Sequence, residues 1–178
     1  LIEDESCLAF SIGPIYESLA KQLMNKRHLG IHSPFFTDPR LDLMQSGAVT
    51  NRRKDTYRGQ SLTSYALGTP KLMQWLNNNP LVEFQRIDKV FNPLIIGRNP
   101  KFVTVVAARK VDLYGRIGLY VGKGNVASGP AEVMDFISGA ELSEGGRSIF
   151  ALTSRDPKGL PNILPSIADL PHQVSAFE

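Results

Sequence analysis

The stretch from Leu8 to Leu23 constrains the fold most: an apolar run, Leu8 to Ile12, meets Gly13-Pro14, after which Ile15, Leu19 and Leu23 recur at helical spacing. Proline suits the first position of a helix, where the amide it lacks would have no intrahelical partner. A strand, a tight turn and a helix are therefore expected in succession. The grammar repeats. Leu62 to Leu67 form another apolar run, and Gly68-Thr69-Pro70 opens a helix with Leu72, Met73 and Leu76 inward, closed by Asn77-Asn78-Asn79-Pro80. Between the two units, Leu41 to Met44 read as a helical turn and Gly47 to Asn51 as a break.

Further strands are predicted at Val82 to Phe84, Leu94 to Ile96 and Phe102 to Ala107. Val111 to Tyr114 and Gly118 to Val121 pair about Gly115-Arg116, and Ser148 to Thr153 and Ile163-Leu164 follow later. A loop of small residues from Gly122 to Ala131 leads to a helix around Val133 to Ile137. Strands alternating with helices define an α/β domain with a largely parallel sheet flanked by helices, whose ligands bind beyond the carboxyl ends of the strands. At 178 residues the chain fits one domain, 1–178, with an ample core. Its start at Leu1, without an initiator methionine, suggests a piece of a longer polypeptide.

A net charge of +3, from 20 basic against 17 acidic residues, is too small an excess to argue for nucleic acid. No apolar run approaches the roughly 20 residues that span a bilayer, and no leader is evident, so a cytoplasmic protein is expected. The cluster Arg52, Arg53, Lys54 and Arg58 has two readings, a solvated loop or a contact for a phosphorylated ligand. Cys7 sits in an apolar run and reads as a buried hydrophobe. His28, His32 and His172 lack the spacing of a metal site, so no metal is expected. Nucleophile-elbow and nucleotide-binding glycine motifs are absent. The loops Gly122-Lys123-Gly124-Asn125 and Ser128-Gly129-Pro130-Ala131 precede a helix and could hold an anion there, or simply make a tight connection.

Four collinear segments carry a resemblance: "LGIHSPFFTDPRLDLMQSGAVTN", "SYALGTPKLMQWLNNNPLVEFQRIDKVFNP", "KVDLYGRIG" and "MDFISGAELSEGGRSIFALTS". Together they resemble the C-terminal domain of the acetyl-CoA hydrolase/transferase family, which includes 4-hydroxybutyrate and acetate CoA-transferases. The resemblance implies a NagB/RpiA/CoA-transferase-like fold and coenzyme A or acyl-CoA as substrate, held between this domain and an N-terminal domain of the same polypeptide. It also implies a carboxylic acid as co-substrate and no metal, nucleic acid or membrane partner, and it leaves a homo-oligomer open. In the family an acyl group passes to a glutamate carboxylate as a mixed anhydride, and the CoA thiolate then forms a glutamyl-CoA thioester, which an incoming acid reverses.

Two departures stand out against that family. Its segment H-[ST]-E-M-F-[ST]-D-G is matched by His32, Ser33, Pro34, Phe35, Phe36, Thr37, Asp38 and Pro39, so Pro34 occupies the place of the nucleophilic glutamate. Proline offers neither a nucleophile nor an amide hydrogen. The family's glycine loop G-V-G-G-Q-V-D-F is matched by Gly129, Pro130, Ala131, Glu132, Val133, Met134, Asp135 and Phe136, which loses two glycines and gains a carboxylate. The implied contacts to CoA are Gly129, Pro130, Ala131, Glu132, His32 and Ser33. Two readings follow. Either the domain is active, and Glu132 serves as a relocated nucleophile or Glu132 or Asp38 acts as general base for water in a thioester hydrolase, or it binds acyl-CoA without turnover and regulates or scaffolds an attached enzyme.

Overall fold

A computed structural model describes residues 1–119, 131–169 and 173–175. The chain divides into two compact units, Leu1–Val105 with Met134–Ile149, and Val106–Val133 with Phe150–Glu178. The first unit is built on β1 (Cys7–Phe10), α1 (Pro14–Leu23), β2 (Gly30–Ile31), β3 (Phe35–Phe36), α2 (Asp38–Gln45), β4 (Ser61–Thr63), β5 (Tyr65–Ala66), α3 (Pro70–Leu76), β6 (Val82–Phe84), α4 (Ile87–Val90) and α5 (Pro93–Gly97). It is completed by most of β7 (Phe102–Ala107), α6 (Ala131–Leu142) and the start of β10 (Arg147–Ala151).

One sheet runs in the order β10-β7-β1-β2, with β1 parallel to both β2 and β7. A parallel bridge from His32 to Leu62 carries the pairing on to β4, which lies parallel to β6. This bears out the α/β class and its parallel sheet. Every residue of β1 is buried, as a central strand covered on both faces must be. Cys7 joins Ala9, Leu62, Val90, Ile96, Phe102, Phe136 and Ala140 in one apolar cluster.

Helix α1 starts where expected. Gly13 carries φ 129°, a region glycine tolerates, and its carbonyl accepts from the amides of Tyr16 and Glu17 beyond Pro14. The buried stripe, however, is Tyr16, Ala20 and Leu23, while Ile15 faces solvent. The three-residue offset from Ala20 to Leu23 satisfies helical spacing as well as the run from Ile15 does, so aliphatic content alone chose the wrong face. In α3, Leu72 is buried as expected and Met73 is exposed.

The predicted strand at Leu94 to Ile96 is helix α5 instead. The Asn92 side chain accepts from the Leu94 amide at 2.9 Å, and Pro93 takes the first helical position. The helix lets Ile96 press on Gly139 of α6, where any Cβ would clash. Helix α6 itself extends well beyond the predicted Val133 to Ile137.

The second unit contains β8 (Lys110–Asp112), β9 (Arg116–Gly118), β11 (Ile163–Leu164) and β12 (Gln173–Ser175), ordered β11-β8-β9-β12. The hairpin of β8 and β9 turns at 113–115, with Val111 opposite Ile117. The Asp112 carboxylate fastens it, accepting from the amides of Tyr114, Arg116 and Ile167 and from the Arg116 guanidinium at 2.7 Å. The predicted loop up to Pro130 lies outside the described residues from 120 onward, and His172 does as well. Among the described residues, no helix is long and apolar enough to cross a membrane.

The junction of β1, β4, α5 and α6 generates a prediction. Leu62 is fully buried in the apolar cluster. Leu62→Ala is expected to cost about 3 kcal/mol in urea unfolding, and a loss below about 1 kcal/mol would contradict this packing.

Candidate active site

Residues 30–34 lie inside the sheet. The His32 amide donates to the Leu8 carbonyl at 3.0 Å and the Ser33 amide to the Leu62 carbonyl at 3.0 Å, so the segment is paired on both sides. The His32 ring is wholly buried and edge-on to Phe102 and Phe136. Nε2–H donates to the Val90 carbonyl at 2.8 Å, leaving Nδ1 to accept from the Asn99 amide nitrogen at 3.3 Å. Burial, reinforced by the nearby Lys54 charge, pushes the ring's pKa down to about 3. His32 is a neutral strut with both nitrogens occupied, and it is not among the residues that line the cleft described below.

Ser33 is equally enclosed. Its hydroxyl donates to the Phe10 carbonyl at 2.9 Å and accepts from Arg40 Nη2 at 2.9 Å. Arg40 is the residue that sequence reading missed. It is fully buried on α2 with its guanidinium 4.2 Å from the centre of the Phe10 ring. Nη1 donates to Thr37 Oγ1 at 2.8 Å and Nη2 to the Phe10 carbonyl. Among the described residues Nε has no partner and no carboxylate pairs with the guanidinium. Burial pushes its pKa down to about 9, which leaves it charged at neutral pH. One buried cation thus ties the end of β1 to residues 33–40.

Pro34 is buried, and its carbonyl accepts from the amides of Ser64 and Tyr65 and from Thr63 Oγ1, at 3.1, 3.0 and 3.1 Å. Position 34 presents the core with a ring and β4–β5 with a backbone oxygen. Asp38, half-buried at the start of α2, reaches across to α3: its oxygens accept from the Thr69 hydroxyl at 2.6 Å and the Thr69 amide at 3.0 Å. The Thr69 hydroxyl bond, first among its causes, lowers the Asp38 pKa. A carboxylate so stabilised is a weak base.

Beyond the carboxyl end of β1 opens a cleft of about 390 Å³. Residues 10–13 form one wall, Tyr16 and Ala20 of α1 with Met24 just beyond it a second, and Thr37, Asp38 and Asp42 a third. The chain leaves β1 for β2 on one side and returns later to β7 on the other, so the cleft lies at a topological switch point, the usual ligand position in such sheets. Of the predicted site residues, Asp38 lines it, whereas His32, Ser33 and Pro34 stand behind it. Ala131 and Glu132 occupy the first turn of α6, while Gly129 and Pro130 lie outside the described residues, as does the side chain of Glu132. The described residues hold no group of three or more potential metal ligands.

The basic cluster is not a uniform solvated loop. Lys54 is buried, and its ammonium donates to the carbonyls of Ile31 at 2.9 Å and Gln60 at 2.7 Å. Burial pushes its pKa down to about 8. Asn99 Oδ1 accepts from the amides of Asp55 and Thr56, so the loop 51–60 is pinned from within.

Comparison with known proteins agrees with this architecture. Residues 68–176 match the acetyl-CoA hydrolase/transferase C-terminal domain, and the chain belongs to that family. It is 36% identical over 170 residues to a 4-hydroxybutyrate coenzyme A transferase of Clostridium kluyveri, covering 95% of this chain and 39% of that protein. Against a succinyl-CoA:cyclohexane-1-carboxylate CoA transferase of Geobacter metallireducens it is 37% identical, over 94% of this chain and 39% of the relative. The crystal structure of RipA from Yersinia pestis superposes with a TM-score of 0.83 at 32% identity, over 93% of this chain and 37% of that one. A 4-hydroxybutyrate CoA-transferase from Porphyromonas gingivalis does so with 0.82 at 30% identity, over 93% and 40%. The chain therefore spans about two fifths of the length of these relatives.

The state of His32 is directly testable. Because its folded pKa lies below the unfolded value of 6.5, its contribution is present above pH 6.5 and is lost as pH falls toward 3. NMR of the ring nitrogens is expected to show a neutral imidazole at pH 5, and protonation near pH 6.5 would contradict the buried strut.

Proposed function

We propose that this chain is a CoA-transferase or acyl-CoA hydrolase domain handling short-chain acyl-CoA thioesters, in which Pro34 holds the position of the family's glutamate nucleophile. The observation that carries the reading is the cleft at the carboxyl end of β1, walled by Thr37 and Asp38 from the segment that bears the nucleophile in the family. Family membership supports CoA-thioester chemistry, with the partner domain supplied by the same polypeptide. The acyl group enters as the thioester, and a carboxylic acid or water accepts it.

The buried ring and triply bonded carbonyl of Pro34 support a route that does not pass through position 34. Two carboxylates remain for the role, Asp38 and Glu132. Asp38 is engaged by Thr69 and its pKa is lowered, which weakens it as a base and favours Glu132 if turnover occurs. Gly129, Pro130 and Ala131 then supply backbone toward the thioester. The same engagement of Asp38 favours a second reading, an acyl-CoA-binding domain without turnover that regulates or scaffolds an attached enzyme.

The deciding experiment uses the full-length polypeptide with acetyl-CoA and longer short-chain acyl-CoAs, following thiol release, acyl exchange with an acceptor acid, and calorimetric binding. Turnover that falls at least a hundredfold in Glu132→Gln and survives in Pro34→Ala is the expected result for a relocated carboxylate. Saturable binding with no turnover establishes the second reading. Neither binding nor turnover would overturn both.

A further inference from the structure

At the opposite end of β1 from the cleft lies a second concavity. Its smaller lobe, about 300 Å³, is lined by Glu5, Arg52, Arg53, Arg58, Pro100 and Lys101. Arg53, Arg58 and Pro100 also line an adjoining lobe of about 410 Å³, with Arg98 at its wall. Glu5 precedes β1 and Lys101 precedes β7, so this groove sits at the amino ends of the strands. The four residues of β1 separate it from the cleft by about 13 Å.

In the smaller lobe four cations face one carboxylate, Glu5, which Arg53 already engages at 3.0 Å. Lys101 is paired outside the lobe with Glu3 at 3.2 Å. Two guanidinium groups are left over. Among the described residues Arg52 has no carboxylate partner, and Arg58 commits only Nε, to the Lys54 carbonyl at 3.1 Å. In the larger lobe Arg98 is neutralised by Asp55 and Glu144 adds a carboxylate, which makes the smaller lobe the better anion site.

The loop that presents these arginines is fixed by buried polar groups. Lys54 anchors it to Ile31 and Gln60, Asn99 holds its amides at 55 and 56, and Asn51 Nδ2 donates to Ser61 Oγ at 3.0 Å. Asn51, Tyr57 and Lys101 keep left-handed backbone at φ 55°, 51° and 51°, a conformation that side chains with a Cβ disfavour. So much interior hydrogen bonding spent on one surface loop makes its display rigid, and the outward display is Arg52, Arg53 and Arg58. Guanidinium groups on a rigid frame match adjacent phosphates in paired, planar contacts.

We propose that this groove binds a small molecule carrying two linked phosphate groups, at a site separate from the acyl-CoA cleft. A free nucleotide or inorganic diphosphate satisfies that chemistry, and so do the phosphates of CoA, which the test must distinguish. The full-length polypeptide is titrated calorimetrically with pyrophosphate, with ADP and with sulfate, at 50 and 200 mM salt on the scale where phosphate contacts are screened. The proposal predicts saturable binding of pyrophosphate and ADP that weakens at least tenfold in Arg52→Ala/Arg58→Ala, with unchanged thermal unfolding and with saturating CoA leaving it intact. Absence of saturable binding, equal binding by the double variant, or sulfate binding as tightly as pyrophosphate would overturn it. Displacement of pyrophosphate by CoA would overturn the separate site and assign the groove to the CoA phosphates.

Discussion

Residues 30–34 are held from both sides, and the rest of the first unit is arranged around that fact. Ile31 pairs with β1, His32 and Ser33 bridge to Leu62 of β4, and the Pro34 carbonyl takes three donors from 63–65. A backbone fixed between two strands must have its side chains satisfied in the interior, because an unpaired buried polar group costs as much as the hydrogen bond it lacks. His32 meets that demand through Val90 and Asn99, Ser33 through Phe10 and Arg40. Both His32 and Ser33, polar residues that look like chemistry in the sequence, have their hydrogen-bonding groups satisfied within a strand junction.

The junction has consequences on both ends of β1. Toward the carboxyl end, Arg40 draws Phe10, Ser33 and Thr37 together and so shapes the wall of the cleft without touching its space. Toward the amino end, Asn99 links His32 to the loop 51–60, and Lys54 links Ile31 to the same loop. A buried cation without a counter-ion is costly, and here two of them, Arg40 and Lys54, have none among the described residues and are held by carbonyls, hydroxyls and, for Arg40, the face of the Phe10 ring.

The sequence made the parallel core legible because β1 and β7 are largely apolar runs, and the family segments lie in order. It was misleading where two signals competed. At 92–97 the apolar Leu94-Ile95-Ile96 outweighed the Asn92-Pro93 cap that starts α5. In α1 the aliphatic Ile15 outweighed the aromatic Tyr16, whose ring stacks near Phe10 at 6.0 Å. Arg40 and Lys54 were illegible because local pattern says nothing of burial bought by partners far along the chain, as Phe10 is for Arg40 and Ile31 for Lys54. The site was only half visible: the cleft position follows from strand order, whereas the withdrawal of His32 and Ser33 into the core needed tertiary contacts.

The central claim is that the segment around Pro34 is a structural junction and carries no covalent acyl or CoA intermediate. Peptide mapping by mass spectrometry, after the full-length polypeptide is incubated with acyl-CoA and quenched in acid, tests this most directly. The account predicts that the peptide spanning 30–43 is recovered without a mass increment, Asp38 and Asp42 included. An acyl or CoA adduct on Asp38 would contradict it, because it would make the Thr69-bound carboxylate the nucleophile and this segment the active centre after all.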